Sequence, residues 1–327
     1  MSRSSTWLFL ILSFFSLAES FFLKGREKHT TENASLSCQK YILLTTQRSG
    51  STWTCNLFDM QGEFTCGGTE FNQIHLRKTE LMIKYSCLNE AENAAVEWSN
   101  YEKNLSNAIQ NSVDTNDSCN PSTSSSRVGT VHAASGFKLM YDQIPQQFID
   151  NNKIFDYFVK NDIAIIHLIR EAKILRISSL KQSQGMPGNQ PHTADKSVVQ
   201  SLRKRTEPIS WDETTIQKVF QEEETDAEWQ RLLLSSPKVK YHKLIDESML
   251  EKEERKYQLD LVFEFLNVNH QDSEIKLDSP FLKLHNSTCE GRIDRYEEFR
   301  EKIAGTKTLA VCEKLDEMFG DEEAEED

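Results

Sequence analysis

Two apolar segments, each followed by a polar turn and a helix, constrain the fold of this chain more than any other feature. Residues 41–53 read YILLTTQRSGSTW, and residues 162–179 read DIAIIHLIREAKILRISS. A nearly continuous apolar strand is typical of the centre of a parallel sheet, where both faces are buried. Strand and helix patterns alternate along much of the chain. The sequence therefore predicts an α/β fold, a central mainly parallel sheet flanked by helices.

The remaining elements follow from the same patterns. Leu259, Val262, Phe263 and Leu266 recur at helical spacing and predict a core-facing stripe. Polar composition predicts an inserted surface loop at 111–127 and another loop at 182–195, whereas residues 71–87 suit a helical or mixed structure. Strands are predicted at 41–46, 64–68, 136–141, 163–169 and 239–245, and further helices at 51–60, 145–160, 171–181, 196–205, 211–234 and 292–303.

The N-terminus has the pattern of a targeting segment. Arg3 precedes the apolar run WLFLILSFFSL, and small residues follow before a possible cleavage site after Ser20. Residues 1–20 are therefore predicted to be a signal peptide, with a membrane anchor extending to about residue 23 as the alternative. We expect a lumenal stem at 21–40, the main folded domain at 41–306, and a C-terminal helix with an acidic tail at 307–327.

Charge and cysteine usage narrow the partners and the compartment. With 38 basic and 51 acidic residues the net charge is −13, which argues against nucleic acid as the main partner. A membrane partner is expected only if the N-terminal segment stays as an anchor. Seven cysteines suit an oxidising lumen, where some should pair, and their odd number leaves at least one without an intramolecular partner. Glycosylation sequons agree, at Asn33, Asn104, Asn116 and Asn286.

The turn after the first strand carries a cluster of hydrogen-bond donors suited to an anion. Gly50 lets the backbone bend closely around a ligand, and Arg48 can form bidentate bonds to sulfate or phosphate oxygens. Backbone N–H groups at the helix start point towards the anion, where the helix dipole adds positive potential, and Ser51 and Thr52 can donate their hydroxyls. The alternative is a capped helix, with a serine as its cap and Arg48 in a surface salt bridge.

The second segment repeats this arrangement, with Arg170 at the end of its strand and Ser178 eight residues later on the helix. Two anion-binding elements on separate β–α units suggest a ligand with phosphoryl or sulfuryl groups at both ends. The first turn lacks the GxxxxGK[ST] pattern, and the strand at 163–169 does not end in an acid for Mg²⁺. We therefore expect an anion site that requires no metal.

The segments TTQRSGSTW and LIREAKILRISSL resemble those of sulfotransferases that use 3′-phosphoadenosine 5′-phosphosulfate (PAPS). The resemblance implies a P-loop NTPase-like sulfotransferase core in which Arg170 and Ser178 bind the 3′-phosphate of PAPS. Residues 239–246 resemble the family strand V-x-Y-E-x-L, with His242 at the usual acid, and residues 292–306 resemble the closing helix of carbohydrate and bacterial-type members. The resemblance of the first segment also implies that the 5′-phosphosulfate is surrounded by Arg48, Ser49, Gly50, Ser51, Thr52 and Trp53, with Trp53 near the adenine.

The catalytic residues implied by the resemblance are Arg48, Glu70 and Lys138. Arg48 stands where cytosolic members carry Lys. Many Golgi and bacterial members carry Arg at this position. Met140 falls where cytosolic members carry the catalytic His, and Met cannot accept a proton. Carbohydrate-directed members instead use a Glu shortly after the first helix, and residues 66–72, CGGTEFN, resemble that stretch. The resemblance therefore implies Glu70 as the general base, with a solvated loop carboxylate as the alternative.

Lys138 is predicted to stabilise the transferring sulfuryl group, with a surface lysine as the alternative. Asp142 and His167 are weaker candidates for the base.

The predicted activity is transfer of a sulfuryl group from PAPS to an acceptor hydroxyl, expected on a glycan in the Golgi lumen. A tyrosine or a small hydroxylated metabolite is an alternative acceptor. Two alternative functions stay open. One is a lumenal nucleotide-binding protein of the same fold without turnover, and the other is a small-molecule kinase that uses ATP and Mg²⁺.

Overall fold

The computed structural model of the chain describes residues 38–62, 64–70, 98–114, 133–184, 208–268, 275–278 and 288–319. Several predicted features lie outside these residues. They are the signal peptide, most of the stem, the segment at 71–87, the larger part of both predicted loops, the helix at 196–205 and the acidic tail.

The described part of the chain forms one five-stranded sheet in which every strand pairing is parallel. The order across the sheet is β2-β3-β1-β4-β5. The predicted α/β class with a parallel sheet flanked by helices is confirmed. The strands are β1 (Gln39–Thr45), β2 (Phe64–Glu70), β3 (Ala134–Met140), β4 (Ile163–Ile169) and β5 (Lys240–Ile245).

The order of the strands creates a point where the connections diverge. The chain leaves β1 towards β2 and β3 on one side, and leaves β4 towards β5 on the other side. β1 and β4 are themselves neighbours, with Leu43 opposite Ile166. Open parallel sheets bind ligands outside the carboxyl ends of the strands at such a point. The turns that follow β1 and β4 are the two predicted anion-binding elements.

Helices cover both faces of the sheet. They are α1 (Ser51–Asp59), α2 (Trp98–Asp114), α3 (Gln146–Asp150), α4 (Lys153–Lys160), α5 (Lys173–Gln184), α6 (Glu213–Ser235), α7 (Lys252–Phe265), α8 (Tyr296–Lys302) and α9 (Lys307–Phe319). One core lies between the sheet and α2, α3, α4 and α6. A second lies on the opposite face, with α1 and α7, where Leu259, Val262, Phe263 and Leu266 are buried as predicted.

A third apolar cluster joins α5 and the start of α6 to α8 and α9. The disulfide between Cys289 and Cys312 lies within it and fastens α9 to the segment before α8. A second disulfide, between Cys55 and Cys66, joins α1 to β2, and Cys38 is disulfide-bonded as well. The helix α9 therefore packs against α5, which begins three residues after Arg170.

Close approach of two strands explains one glycine of the sheet. Gly136 on β3 is opposite Tyr41 on β1, and a Cβ at this position would lie 2.4 Å from the carbonyl oxygen of Tyr41. A side chain at 136 would therefore push β3 away from β1. The long helix α6 begins where the side chain of Asp212 accepts a hydrogen bond from the N–H of Thr215 (2.8 Å), a helix cap that satisfies one of its first donors.

Several predicted boundaries differ from the structure. The helix predicted at 145–160 is broken, because Asn152 adopts a left-handed backbone (φ 59°) between α3 and α4. Residues 111–114 of the predicted loop continue α2, and the helix predicted at 292–303 is shortened to α8 by a left-handed turn at Arg295 (φ 49°). Asn104, one of the sequon asparagines, lies within α2. Among the described helices, none is both long enough and apolar enough to cross a membrane.

Candidate functional site

The turn between β1 and α1 has the backbone of an anion-binding loop. Arg48 (φ 63°) and Gly50 (φ 82°) are both left-handed, on either side of Ser49. Alternation of this kind directs successive peptide N–H groups to one side of a turn, which makes a concave anion site. The residue before α1 is Gly50, which makes no side-chain cap to this helix. The start of a helix favours an anion, because its first N–H groups point out of the helix end.

Two hydroxyl groups near this turn, those of Thr45 and Ser49, are engaged in hydrogen bonds within the protein. Ser49 is buried and its hydroxyl donates to the carbonyl of Thr46 (2.7 Å) and contacts the hydroxyl of Thr45. Thr45 in turn donates to the carbonyl of Leu168 on β4 (2.9 Å). These hydroxyls stabilise the turn from inside and tie it to β4. Ser49 can therefore offer a ligand its backbone N–H, whereas its hydroxyl is already engaged.

Lys138 lies beside the turn instead of on the surface. It is only 2% exposed, and its ammonium group donates to the hydroxyl of Thr52 in the first turn of α1 (3.1 Å). A buried ammonium group is costly unless anions or hydrogen bonds compensate it. This position suits a cation that faces a bound anion.

Glu70 is the last residue of β2, and its Cα lies opposite that of Lys138, after a shift of the strand register that follows Gly67. The sequence prediction placed Glu70 beyond a shorter strand, and the structure extends the strand to include it. The side chain of Glu70 lies outside what the structure describes. The backbone of the predicted base is therefore adjacent to the predicted cation.

Arg170 brings the second anion element to the first. Its Nη1 donates to the backbone carbonyl of Arg48 at 3.3 Å, across the gap between the carboxyl ends of β4 and β1. Within the described residues its Nε has no hydrogen-bond partner, and neither does the hydroxyl of Ser178, which is 3% exposed. Burying a polar group without a hydrogen-bond partner is costly, so these two groups mark a place where an acceptor oxygen would be stabilised.

Two carboxylates that the sequence prediction missed lie next to Arg170. Nε of Arg170 is 3.9 Å from Asp246 Oδ2 and 3.9 Å from Glu247 Oε1. Glu247 accepts the N–H groups of Glu171 (3.0 Å) and Ala172 (2.9 Å), and burial beside Asp246 raises its pKa. Both acids follow β5 directly. Their position at the same sheet edge was the available signal.

Asp246 also explains why position 50 is glycine. A Cβ there would lie 2.1 Å from Asp246 Oδ1, so the carboxylate fills the space that a side chain would need. The acid thus contacts both anion elements, Gly50 on one side and Arg170 on the other.

Trp53 faces away from the turn towards the second core. It is half-buried there, and the guanidinium group of Arg255 lies over its ring at 5.1 Å from the centroid. Arg255 is itself held by the carbonyls of Met249 and Leu250. One face of the indole is therefore covered by a cation, and any adenine contact would use another part of the ring.

His167 lies away from the anion turn. It is fully buried and lies on the sheet face opposite α1, where its ring contacts the hydroxyls of Tyr141 and Tyr241. Burial, together with the charges of Lys243 and Lys173, lowers the pKa of His167 to about 3. The other weak candidate, Asp142, is exposed on the short helical turn Tyr141–Gln143.

No protein-family model matches the chain, and no curated protein is significantly similar to it in sequence. Among solved structures, the chain is similar to the sulfotransferase domain of the olefin synthase from Synechococcus PCC 7002. The two share 9% sequence identity, the match covers 88% of this chain and 91% of that one, and the TM-score is 0.33. The likeness is too distant to assign a function.

Metal ligands do not cluster in the described part of the chain, where no group of three or more His, Cys, Asp or Glu side chains could hold an ion. The site that the structure does present is a group of cations and backbone donors, partly compensated by two acids, at the carboxyl ends of β1, β3 and β4.

Proposed function

We propose that this protein is a sulfotransferase that moves a sulfuryl group from PAPS to an acceptor hydroxyl. One observation carries the proposal. Arg170, at the end of β4, donates to the anion turn that follows β1 at 3.3 Å, so both predicted anion elements share one site at the divergence point of the sheet. A donor with a charged group at each end fits two such elements.

The donor would be bound at its two ends by different β–α units. In this proposal the N–H groups of the left-handed turn and of the α1 start hold the 5′-phosphosulfate. Arg170 and Ser178 hold the 3′-phosphate, which would supply the acceptors that the Arg170 Nε and the Ser178 hydroxyl lack among the described residues. Phosphate would then share Arg170 with Asp246 and Glu247, both 3.9 Å away.

The proposed reaction is an in-line displacement at sulfur. The acceptor oxygen forms a bond to sulfur, and the bond between sulfur and the bridging phosphate oxygen breaks. The acceptor proton passes to Glu70, and adenosine 3′,5′-bisphosphate leaves with the bond electrons. Arg48 and Lys138 would stabilise the charge that moves onto the phosphate and the transferring group. In support, Lys138 is buried beside Thr52 and its backbone is paired with that of Glu70.

The acceptor is proposed to be a carbohydrate hydroxyl, and the compartment the Golgi lumen. The support for the acceptor is the resemblance around Arg48 and Glu70. The support for the compartment is the predicted N-terminal signal together with the disulfides at Cys55 and Cys289, since disulfides form mainly in oxidising compartments.

A kinase that uses ATP and Mg²⁺ is the second candidate, and one observation favours it. Asp246 follows a strand and lies against Gly50 of the anion turn, and an acid at a strand end beside a phosphate loop holds Mg²⁺ in ATP-dependent enzymes. The same carboxylate is also the neighbour of Arg170, which favours an ion pair over a metal ligand.

The test is a transfer assay with purified protein, a donor labelled in its sulfur, and a panel of glycans, peptides and phenols. We expect transfer to a glycan in the presence of a divalent-metal chelator. If the protein instead transferred label from γ-labelled ATP, and this transfer stopped when a chelator was added, the protein would be a kinase and not a sulfotransferase. No transfer, with tight binding of adenosine 3′,5′-bisphosphate, would indicate a binding protein without turnover.

Two variants assign the roles within the site. Arg48→Ala should abolish transfer and leave the protein folded, whereas Arg231→Ala, an exposed arginine on α6, should behave as wild type. Glu70→Gln should lower kcat with little change in donor affinity, because only proton transfer is lost. Full activity of Glu70→Gln would show that Glu70 is not the general base.

A further inference from the structure

We propose that Glu222 of α6 is a positioning residue for the anion turn, acting through Arg176. The expected effect on donor binding rests on the proposed function, whereas the expected effect on the backbone of the turn does not. Glu222 is more than 100 residues away from the turn in sequence, and its link to the turn runs through the guanidinium group of Arg176.

The contacts form a short relay from α6 to the turn. The carboxylate of Glu222 accepts a hydrogen bond from Nε of Arg176 (2.7 Å), and a second contact joins its other oxygen to Nη2. Nη1 of Arg176 donates to the backbone carbonyl of Gln47 (2.8 Å). Gln47 immediately precedes the left-handed Arg48. The planar guanidinium group therefore bridges an acid on one helix and the anion turn.

Holding this carbonyl also fixes a donor of the site. The carbonyl of Gln47 and the N–H of Arg48 belong to one planar trans peptide, so they point in opposite directions. When Arg176 binds the carbonyl from the α5 side, the N–H of Arg48 is directed to the other side of the turn. Arg170 does the same to the next peptide through the carbonyl of Arg48. Arg176 of α5 and Arg170, which lies between β4 and α5, thus orient successive N–H groups.

A second acid of α6 makes an equivalent link one helical turn later. Asp226 pairs with the ammonium group of Lys173, which also donates to the carbonyl of Arg170. The spacing of four residues between the acids places them on the same face of α6. Both links join an acid of α6 to a cation of α5 and then to a backbone carbonyl of an anion element. This repetition is what points to a positioning function of α6.

The charge at Glu222 should matter more than its shape. Arg176 is buried, and a buried cation whose partner is removed is strongly destabilised in its position. In Glu222→Gln the amide can accept one bond but carries no charge, so Arg176 should shift and release Gln47. Glu224, exposed on the same helix two residues later, provides the matched control Glu224→Gln.

The experiment has two readouts. The first is hydrogen exchange of a peptide covering residues 46–52, measured by mass spectrometry without ligand. We expect Glu222→Gln to exchange faster than wild type and Glu224→Gln. The second is the Kd for adenosine 3′,5′-bisphosphate and for adenosine 5′-phosphate, both of which should weaken about tenfold. The ratio of the two values should stay unchanged, because the 3′-phosphate end is not affected.

Arg176→Lys is the second variant. It keeps a positive charge for Glu222, but a single ammonium group lacks the planar fork that bridges the acid and the carbonyl. We expect the same faster exchange and weaker binding as in Glu222→Gln. Unchanged exchange of residues 46–52 in both variants would overturn the proposal, whether or not any nucleotide binds. If wild type binds neither nucleotide, the proposed function fails, and the exchange measurement still decides the role of Glu222.

Discussion

Gly50→Ala tests whether the anion turn and Asp246 are in direct contact. Two separate costs are expected from one methyl group. The first is conformational, because Gly50 has φ 82° and an L-residue in the left-handed region costs about 1 kcal/mol. The second is steric, since the new Cβ would lie 2.1 Å from Asp246 Oδ1, and real Cβ contacts essentially never fall below 3.0 Å.

The steric cost can be estimated from the packing around the acid. Asp246 is buried, and its N–H is bonded to the carbonyl of Ile169 (2.8 Å), so the carboxylate has little room to withdraw. Forcing an extra methyl group into a packed site costs about 1–3 kcal/mol. The free energy of unfolding should therefore fall by about 2–4 kcal/mol in Gly50→Ala, the conformational and steric costs together.

The assay is urea-induced unfolding, with Gly305→Ala as the matched control. Gly305 has nearly the same backbone angle (φ 84°), and no described atom lies within 4 Å of a Cβ placed there. Gly305→Ala should therefore lose only the conformational part, about 1 kcal/mol. Combining Gly50→Ala with Asp246→Ala should recover the steric part, as a coupling energy of about 1–3 kcal/mol. Equal losses at Gly50 and Gly305, with no coupling to Asp246, would refute the contact.

Three further predictions address the donor site, a disulfide and a buried histidine. Ser178→Ala should leave the free energy of unfolding unchanged, since the hydroxyl of Ser178 has no described partner. By calorimetry its affinity for adenosine 3′,5′-bisphosphate should be about tenfold weaker than that of wild type, with the affinity for adenosine 5′-phosphate unchanged. If wild type and Ser178→Ala bound adenosine 3′,5′-bisphosphate equally well, Ser178 would not be part of the site. Replacing Cys55 and Cys66 by serine should lower the free energy of unfolding by about 3 kcal/mol, and reducing agent should then have no further effect at this pair. The pKa of His167 is lowered to about 3 in the folded protein, so its neutral form stabilises the fold above the unfolded pKa of about 6.5. As pH falls from 6.5 towards 3, the free energy of unfolding of wild type should fall by up to about 1.4 kcal/mol per pH unit more than that of His167→Gln, measured by denaturant unfolding. If the two proteins lost stability with pH at the same rate, the buried neutral state of His167 would be contradicted.

The sequence was sufficient for the architecture because its signals are local. Buried strands at 41–46 and 163–169 are continuous apolar runs, and such runs predict the centre of a parallel sheet without any knowledge of their neighbours. Both lie in the middle of the observed sheet. The break at Asn152 was missed, since asparagine at a left-handed position leaves a weaker trace in sequence than glycine or proline.

The candidate site could be predicted from sequence where one short segment carries the chemistry. Residues 48–53 combine a flexible glycine, hydroxyls and an arginine at the start of a helix, and that combination already indicates an anion loop. The contact between Arg170 and Arg48 could be expected only in outline, because the order of strands that makes β1 and β4 neighbours depends on crossovers far apart in sequence.

Sequence alone determined which residues could bind an anion, since that capacity belongs to the side chains and to the local turn. Tertiary structure decided how their charges are compensated. Asp246 fills the space beside Gly50, Glu222 reaches the turn through Arg176, and Lys138 is buried instead of exposed. These pairings join residues 46 to nearly 200 positions apart. No periodicity or motif encodes them, because they arise only when the sheet brings the carboxyl ends of separate strands to one edge.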